Sequence, residues 1–179
     1  MKTKNLLSLS AFVIAIFALN SISQQSAKAS DSIFSCQSDQ DILTTIAKSK
    51  NGQTKPIFHW NLSEVNTSAE PQQLCDSVTQ KLNSYQQAGN DLSSLIFKAG
   101  TVLDDESLET LPAICIAGVE NPCKVALFTL SSSTNPQVAA SQALDSILDK
   151  DLQDSPAKST TRGLQSTAYK VDFWQLLGF

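Results

Sequence analysis

A chain of 179 residues with thirteen basic and seventeen acidic side chains carries a formal charge of −4, and it holds four cysteines, one histidine and two tryptophans. With a single arginine, Arg162, and lysines spaced singly, no basic stripe exists to neutralise a phosphate backbone or cling to anionic lipid, which argues against a nucleic-acid partner. The residues beyond the first 29 suit one domain, which buries roughly two-thirds of the surface its unfolded chain exposes.

Lys2 and Lys4 precede an apolar run from Leu6 to Leu19, after which the chain turns polar and reaches Ala27-Lys28-Ala29. That order predicts a secretory signal with an Ala-x-Ala cleavage site, hence a cleaved signal peptide over 1–29 and a mature chain over 30–179. The run is shorter than the roughly 20 residues needed to cross a bilayer, so no transmembrane segment is expected in the mature chain. The first cysteine, Cys36, lies well past the run, which removes the usual site of lipid attachment. Without a twin-arginine pair, transport unfolded with folding and oxidation afterwards is the simpler route. Cleavage would remove three lysines and no acids, leaving ten basic against seventeen acidic residues, a mature charge of −7.

Strands are expected at Ile33–Gln37 and Ile42–Ala47, then a turn at Asn51-Gly52 and a strand through Pro56-Ile57-Phe58-His59-Trp60, the last two strands forming an antiparallel hairpin. Pro71 fits the first position of a helix that carries Leu74, Cys75, Val78, Leu82 and Tyr85 on one face and stops at Gly89. Further strands over Leu92–Phe97, Leu111–Ala117 and Val125–Leu130 suggest a meander. The acidic stretch from Val102 to Glu109 reads as an exposed loop or a short helical turn. Asn135-Pro136 caps a second helix with Ala140, Ala143, Leu144, Ile147, Leu148 and Leu152 on one stripe. Residues 155–163 form a polar linker to an aromatic C-terminal strand or helix, Tyr169–Leu177. The expected fold class is α+β, a mainly antiparallel sheet with two packed helices and two disulfides.

Cys36, Cys75, Cys115 and Cys123 are an even set in an exported chain, and structural disulfides are the default. Their long gaps do not resemble zinc spacing, and no C-x-x-C is present. Of three connectivities, Cys115 with Cys123 and Cys36 with Cys75 is preferred, because the first pair flanks a turn at Glu120-Asn121-Pro122; the sequence alone leaves the choice open. In the loop-entropy view these closures contribute roughly 2.5 and 4 kcal/mol.

The succession Phe34-Ser-Cys36, Pro56-Ile-x-x-Trp60, Pro71-Gln-Gln-x-Cys75-x-x-Val78, Ile114-Cys115, Cys123-x-x-x-Leu127-Phe128-Thr129-Leu130 and Asn135-Pro136 resembles the circadian oscillating protein family of cyanobacteria. The likeness extends over nearly the whole mature chain. It departs from the family pattern at Leu74, where a basic residue is usual, and in the longer turn at Asp104–Glu109. The resemblance implies an exported protein of the periplasm, thylakoid lumen or extracellular space, or a membrane-peripheral one, in a photosynthetic bacterium. It supplies no reaction and no catalytic residues.

Candidate chemistry is sparse. His59, the one histidine, is the necessary centre of any Ser-His-Asp or Cys-His set, and its ordinary reading is a strand residue facing away from Phe58 and Trp60. Asp104, Asp105, Glu106 and Glu109 offer oxygen ligands for calcium, but without EF-hand spacing or a turn glycine. Trp60, Phe173 and Trp174 serve either as a ligand platform or as core. Asn61-Leu62-Ser63 and Asn66-Thr67-Ser68 match the glycosylation pattern, which matters only in a glycosylating host. No catalytic, metal or cofactor residue is therefore assigned and no cofactor is expected. The expected function is a non-catalytic module that binds an unknown protein or membrane-associated partner. The alternatives are a hydrolase-type enzyme and a weak calcium-binding protein.

Overall fold

The alternation of β-branched and aromatic residues in the first third of the domain builds three antiparallel strands, β1 (Phe34–Asp39), β2 (Ile42–Lys48) and β3 (Thr54–His59), in that order across one sheet. The structure is a computed structural model and describes residues 32–39, 42–61, 63, 65–118, 120–153 and 167–178. The expected signal peptide over 1–29, the start at Ser30 and the linker over 155–163 lie outside the described residues. Pairing of Phe34 with Ala47, Cys36 with Thr45 and Thr45 with Phe58 puts these side chains on one face. Ser35, Gln37, Thr44, Ile46 and His59 fall on the other. The β2–β3 turn is the expected Asn51-Gly52 hairpin, with Gly52 at φ 86°, closed by hydrogen bonds from Ser49 N–H to the Gln53 carbonyl and from Gly52 N–H to the Ser49 carbonyl.

Helix α1 (Pro71–Gln87) starts on Pro71, whose missing N–H is one the first turn cannot use. It ends at Ala88, followed by Gly89 at φ 77°, and buries Leu74, Cys75, Val78 and Leu82. Two of its polar residues close strand edges. The Asn83 amide donates to the Phe34 carbonyl and accepts from Phe34 N–H at 2.9 and 3.1 Å, as a neighbouring strand would. Lys81 donates to the carbonyls of Ala126 and Leu127 at 2.9 and 2.7 Å, and burial pulls its pKa below the usual lysine value.

The second sheet has the order β6-β5-β4-β7, every pair antiparallel. Strands β4 (Leu95–Leu103), β5 (Thr110–Ala117) and β6 (Val125–Thr129) form the meander, and β7 (Ala168–Val171) adds to the free side of β4. The C-terminal segment is thus both strand and helix, since β7 leads into α4 (Phe173–Leu177), whose first turn is capped by the Asp172 carboxylate. Helix α2 (Pro136–Ile147) packs on β4 and β5 with Ala140, Ala143, Leu144 and Ile147 buried. Asn135 caps it as expected, accepting from Val138 N–H.

Three expectations shift. The strand expected from Leu92 starts at Leu95, because the Asp91 carboxylate takes both the amide and the hydroxyl of Ser93 and holds a local turn there. That strand runs on through Val102 and Leu103, so the acidic connection shortens to Asp104–Glu109. The stripe expected to reach Leu152 on one helix is broken at Leu148, which is extended and forms a β-bridge to Phe58, while Asp149 N–H donates to the Ile57 carbonyl. The free edge of β3 is the physical cause, since its backbone groups need partners. Leu152 is buried from a separate short helix, α3 (Lys150–Gln153). Gln153 in turn donates to the carbonyls of Asp145 and Leu148 at the exposed end of α2.

Both disulfides pair as the turn argument preferred: Cys36–Cys75 ties β1 to α1, and Cys115–Cys123 closes the β5–β6 connection. One apolar core runs through both sheets. Its spine is a chain of ring contacts: Phe34 to Phe173 at 5.2 Å, Phe173 to Phe97 at 6.3 Å, Phe97 to Phe58 at 4.9 Å, Phe58 to Trp60 at 5.8 Å and Trp60 to Phe128 at 5.5 Å. Most meet edge to face, the arrangement the ring quadrupoles favour. Among the described residues, no helix is long and apolar enough to cross a membrane.

Candidate functional site

His59 is carried on the last position of β3, on the face turned away from Phe58, directly opposite Thr44 of β2. Its Nε2 lies 2.7 Å from a carboxylate oxygen of Asp149, and its Nδ1 lies 3.4 Å from the Thr44 hydroxyl. The Asp149 contact exists because the chain leaves α2 early to pair with the β3 edge. Carboxylate, imidazole and hydroxyl thus follow one another in the order of an acid–base triad.

The surroundings do not complete that chemistry. The Thr44 side chain is buried in the middle of a sheet, with only 4% of the residue exposed, and its distance to His59 is at the long end of a hydrogen bond. A described depression of about 360 Å³ lies elsewhere, lined by Asp151, Leu152, Lys170, Val171, Asp172, Gln175 and Leu176. Asp172 there is committed to the first turn of α4 through the amides of Trp174 and Gln175. The pair of His59 and Asp149 joins β3 to the α2–α3 connection and is, in its packing, a polar tie across the edge of the first sheet.

The aromatic candidates resolve as core. Trp60 and Phe173 are buried, and the Trp60 indole N–H donates to the Thr45 hydroxyl at 2.9 Å, which in turn lies 3.6 Å from the Cys75 sulfur. A buried indole needs such a partner, and Thr45 is fully enclosed to supply it. Trp174 is half-buried against this core. Tyr169, also buried, donates to Asp145 at 2.7 Å. Burial first, then that hydrogen bond and the carboxylate charge, push its hydroxyl up to about 12.

The acidic turn Asp104–Glu109 is built around one of its own carboxylates. Asp104 accepts from the Glu106 amide and the Ser107 hydroxyl, and these bonds hold it below the ordinary 3.8. Asp104 N–H reaches the Glu109 carbonyl and Leu108 N–H the Asp104 carbonyl, so the backbone of the turn is closed. Among the described residues, no three His, Cys, Asp or Glu side chains converge as a metal centre would require. What the turn does present is apolar. Leu103 is 60% and Leu108 75% exposed, and Leu108 sits at φ 57°.

The sequence pointed to His59 but not to Asp149 or Thr44. Asp149 is 90 residues away and meets His59 only through a helix break that apolar periodicity did not signal. The exposed leucines had a weak signal: Leu108 is an apolar residue set inside a run of acids, Asp104-Asp105-Glu106 before it and Glu109 after it.

Comparison with known proteins gives one finding. No curated protein and no solved structure matches the chain. The family model described as "Circadian oscillating protein COP23" matches residues 33–178, a span that contains every described strand and helix, both disulfides and the aromatic spine. The chain therefore belongs to the circadian oscillating protein COP23 family.

Proposed function

We propose that this protein is exported by a signal sequence removed before Ser30, folds and oxidises outside the cytoplasm of a photosynthetic bacterium, and acts there as a non-catalytic module that binds a protein or membrane-associated partner. The two disulfides support an oxidising compartment. The observation that carries the binding role is the set of large apolar side chains held in solvent, Leu103 and Leu108 above all, with Ile42 and Val138 also exposed. Leu103 ends β4 and Leu108 lies five residues on in the connection to β5, so two large apolar side chains are held in solvent at one short turn, and exposed apolar surface that is gathered rather than scattered marks interaction sites.

The test is peptide mapping by mass spectrometry of the native protein, crosslinked gently and kept non-reducing. A mature N-terminus at Ser30, both disulfides and one recurrent crosslinked neighbour are the expected result. An intact Met1, free thiols, or no recurrent neighbour would respectively overturn export, oxidation and the binding role.

One observation favours a second reading, a hydrolase: the order of Asp149, His59 and Thr44. Its test is a panel of ester and amide substrates assayed with the parent protein and with His59→Ala. Turnover abolished by that substitution would establish the second reading; no turnover, or turnover unaffected by it, would remove it.

A further inference from the structure

The turn between β4 and β5 is built in a way that folding alone does not explain. Its two leucines are the most exposed of the large hydrophobic residues described. Leu108 is also the one described non-glycine residue with positive φ. The left-handed region crowds a Cβ against the following carbonyl, which is why Gly and Asn occupy such positions. Leu108 therefore strains the backbone and buries little of itself. The same turn carries the exposed side chains of Asp105, Glu106 and Glu109, with no ion pair to any of them among the described residues. Asp104, fixed by its two hydrogen bonds, holds the turn in shape.

Resting on the interaction-module reading above, we infer that Leu103 and Leu108, with the exposed acids Asp105, Glu106 and Glu109 beside them in the same turn, form a prong that docks into an apolar socket rimmed by lysine or arginine on a protein partner. The leucines supply area to be removed from water, and the acids select the rim and steer the encounter. The same charge repels an anionic membrane, which is why the occupant is a protein. A prong this small is less than a standard interface, so it acts as the anchor of a contact that other surface completes or that is transient.

The experiment places a photoreactive benzophenone amino acid at position 108 of the full-length chain, and separately at Val138 and Ile42, in the producing cells. Crosslinked peptides are mapped by mass spectrometry. The expected result is a crosslink from 108 to one identified protein, at a site with apolar residues bordered by Lys or Arg. Its yield should fall about tenfold in D105N/E106Q/E109Q or on raising salt from 0.05 to about 0.5 M. L103S in the same chain should also lower it. A crosslink from 108 to lipid, or to a protein site without basic residues, or a yield indifferent to charge and salt, overturns the prong. If 108 captures nothing while Val138 or Ile42 captures a protein, the prong fails and the binding module stands; if no position captures one, both fail. Because the turn is exposed, each variant is expected to keep the parent's thermal midpoint, which is measured alongside.

Discussion

The two sheets solve the same problems with different means. Each has a helix laid on it, one disulfide and one hairpin whose turn holds a described residue with positive φ. In the first sheet the disulfide spans 39 residues and ties a strand to α1, and the hairpin uses a glycine where the backbone turns left-handed. In the second the disulfide spans only 8 residues, and the hairpin puts a leucine in the left-handed position. The first sheet is therefore arranged for stability, with a long closure and an unstrained turn. The second gives up some stability at its β4–β5 turn to hold an apolar side chain in water.

The largest expected effect separates the two disulfides. Replacing Cys36 and Cys75 together by alanine should cost about 4 kcal/mol, and replacing Cys115 and Cys123 about 2.5 kcal/mol, by the loop-closure argument. Equilibrium denaturant unfolding measures both; equal losses would break the distinction between a long-range and a local closure.

The hairpins come next. Gly52→Val should destabilise by roughly 1 to 2 kcal/mol, through backbone conformation alone, because nothing lies within 4 Å of the position a Cβ would take. Leu108→Asn should do the opposite and stabilise by roughly 0.5 to 1 kcal/mol, since Asn tolerates the left-handed region better. Thermal unfolding of the two variants reads both signs. A loss of stability in Leu108→Asn would show that the leucine contributes to folding, and the contrast between the turns would disappear.

The smallest effect is in pH dependence. Asp104 has a folded-state pKa below its ordinary 3.8, caused chiefly by the Glu106 amide and then by the Ser107 hydroxyl. Its contribution is thus present above the unfolded value and is lost as pH falls through the folded one. The β2–β3 turn is closed by backbone, serine and asparagine groups that do not titrate there. Hydrogen-exchange protection of the Glu106 amide should therefore fall once pH drops below the ordinary aspartate value while that of Gln53 holds, and Asp104→Asn should remove the difference. Parallel behaviour of the two amides would count against the hydrogen bonds seen at Asp104.

Much of the fold is legible in the sequence. Asn51-Gly52 marks the β2–β3 hairpin, Pro71 and Asn135-Pro136 mark two helix starts, and the turn at Glu120-Asn121-Pro122 favours the observed disulfide pairing. The α+β class and the family follow from the same residues. What escapes is non-local. Nothing in the residues around Leu148 shows that it leaves its helix to satisfy the edge of β3, nor that this carries Asp149 to His59. Nor does the apolar pattern show that β4 runs past Phe97, because its continuation through Lys98–Leu103 is fixed by pairing with Thr110–Cys115 of β5.

Local preference and periodicity, written in neighbouring residues, determined where helices begin, where chains reverse and which faces are apolar. Tertiary structure decided which edge each leftover backbone group would pair with, which polar side chains would meet across the sheets, and which leucines would find no cover. The physical reason is that an unpaired N–H or a stranded apolar side chain is settled by whatever the rest of the fold brings beside it.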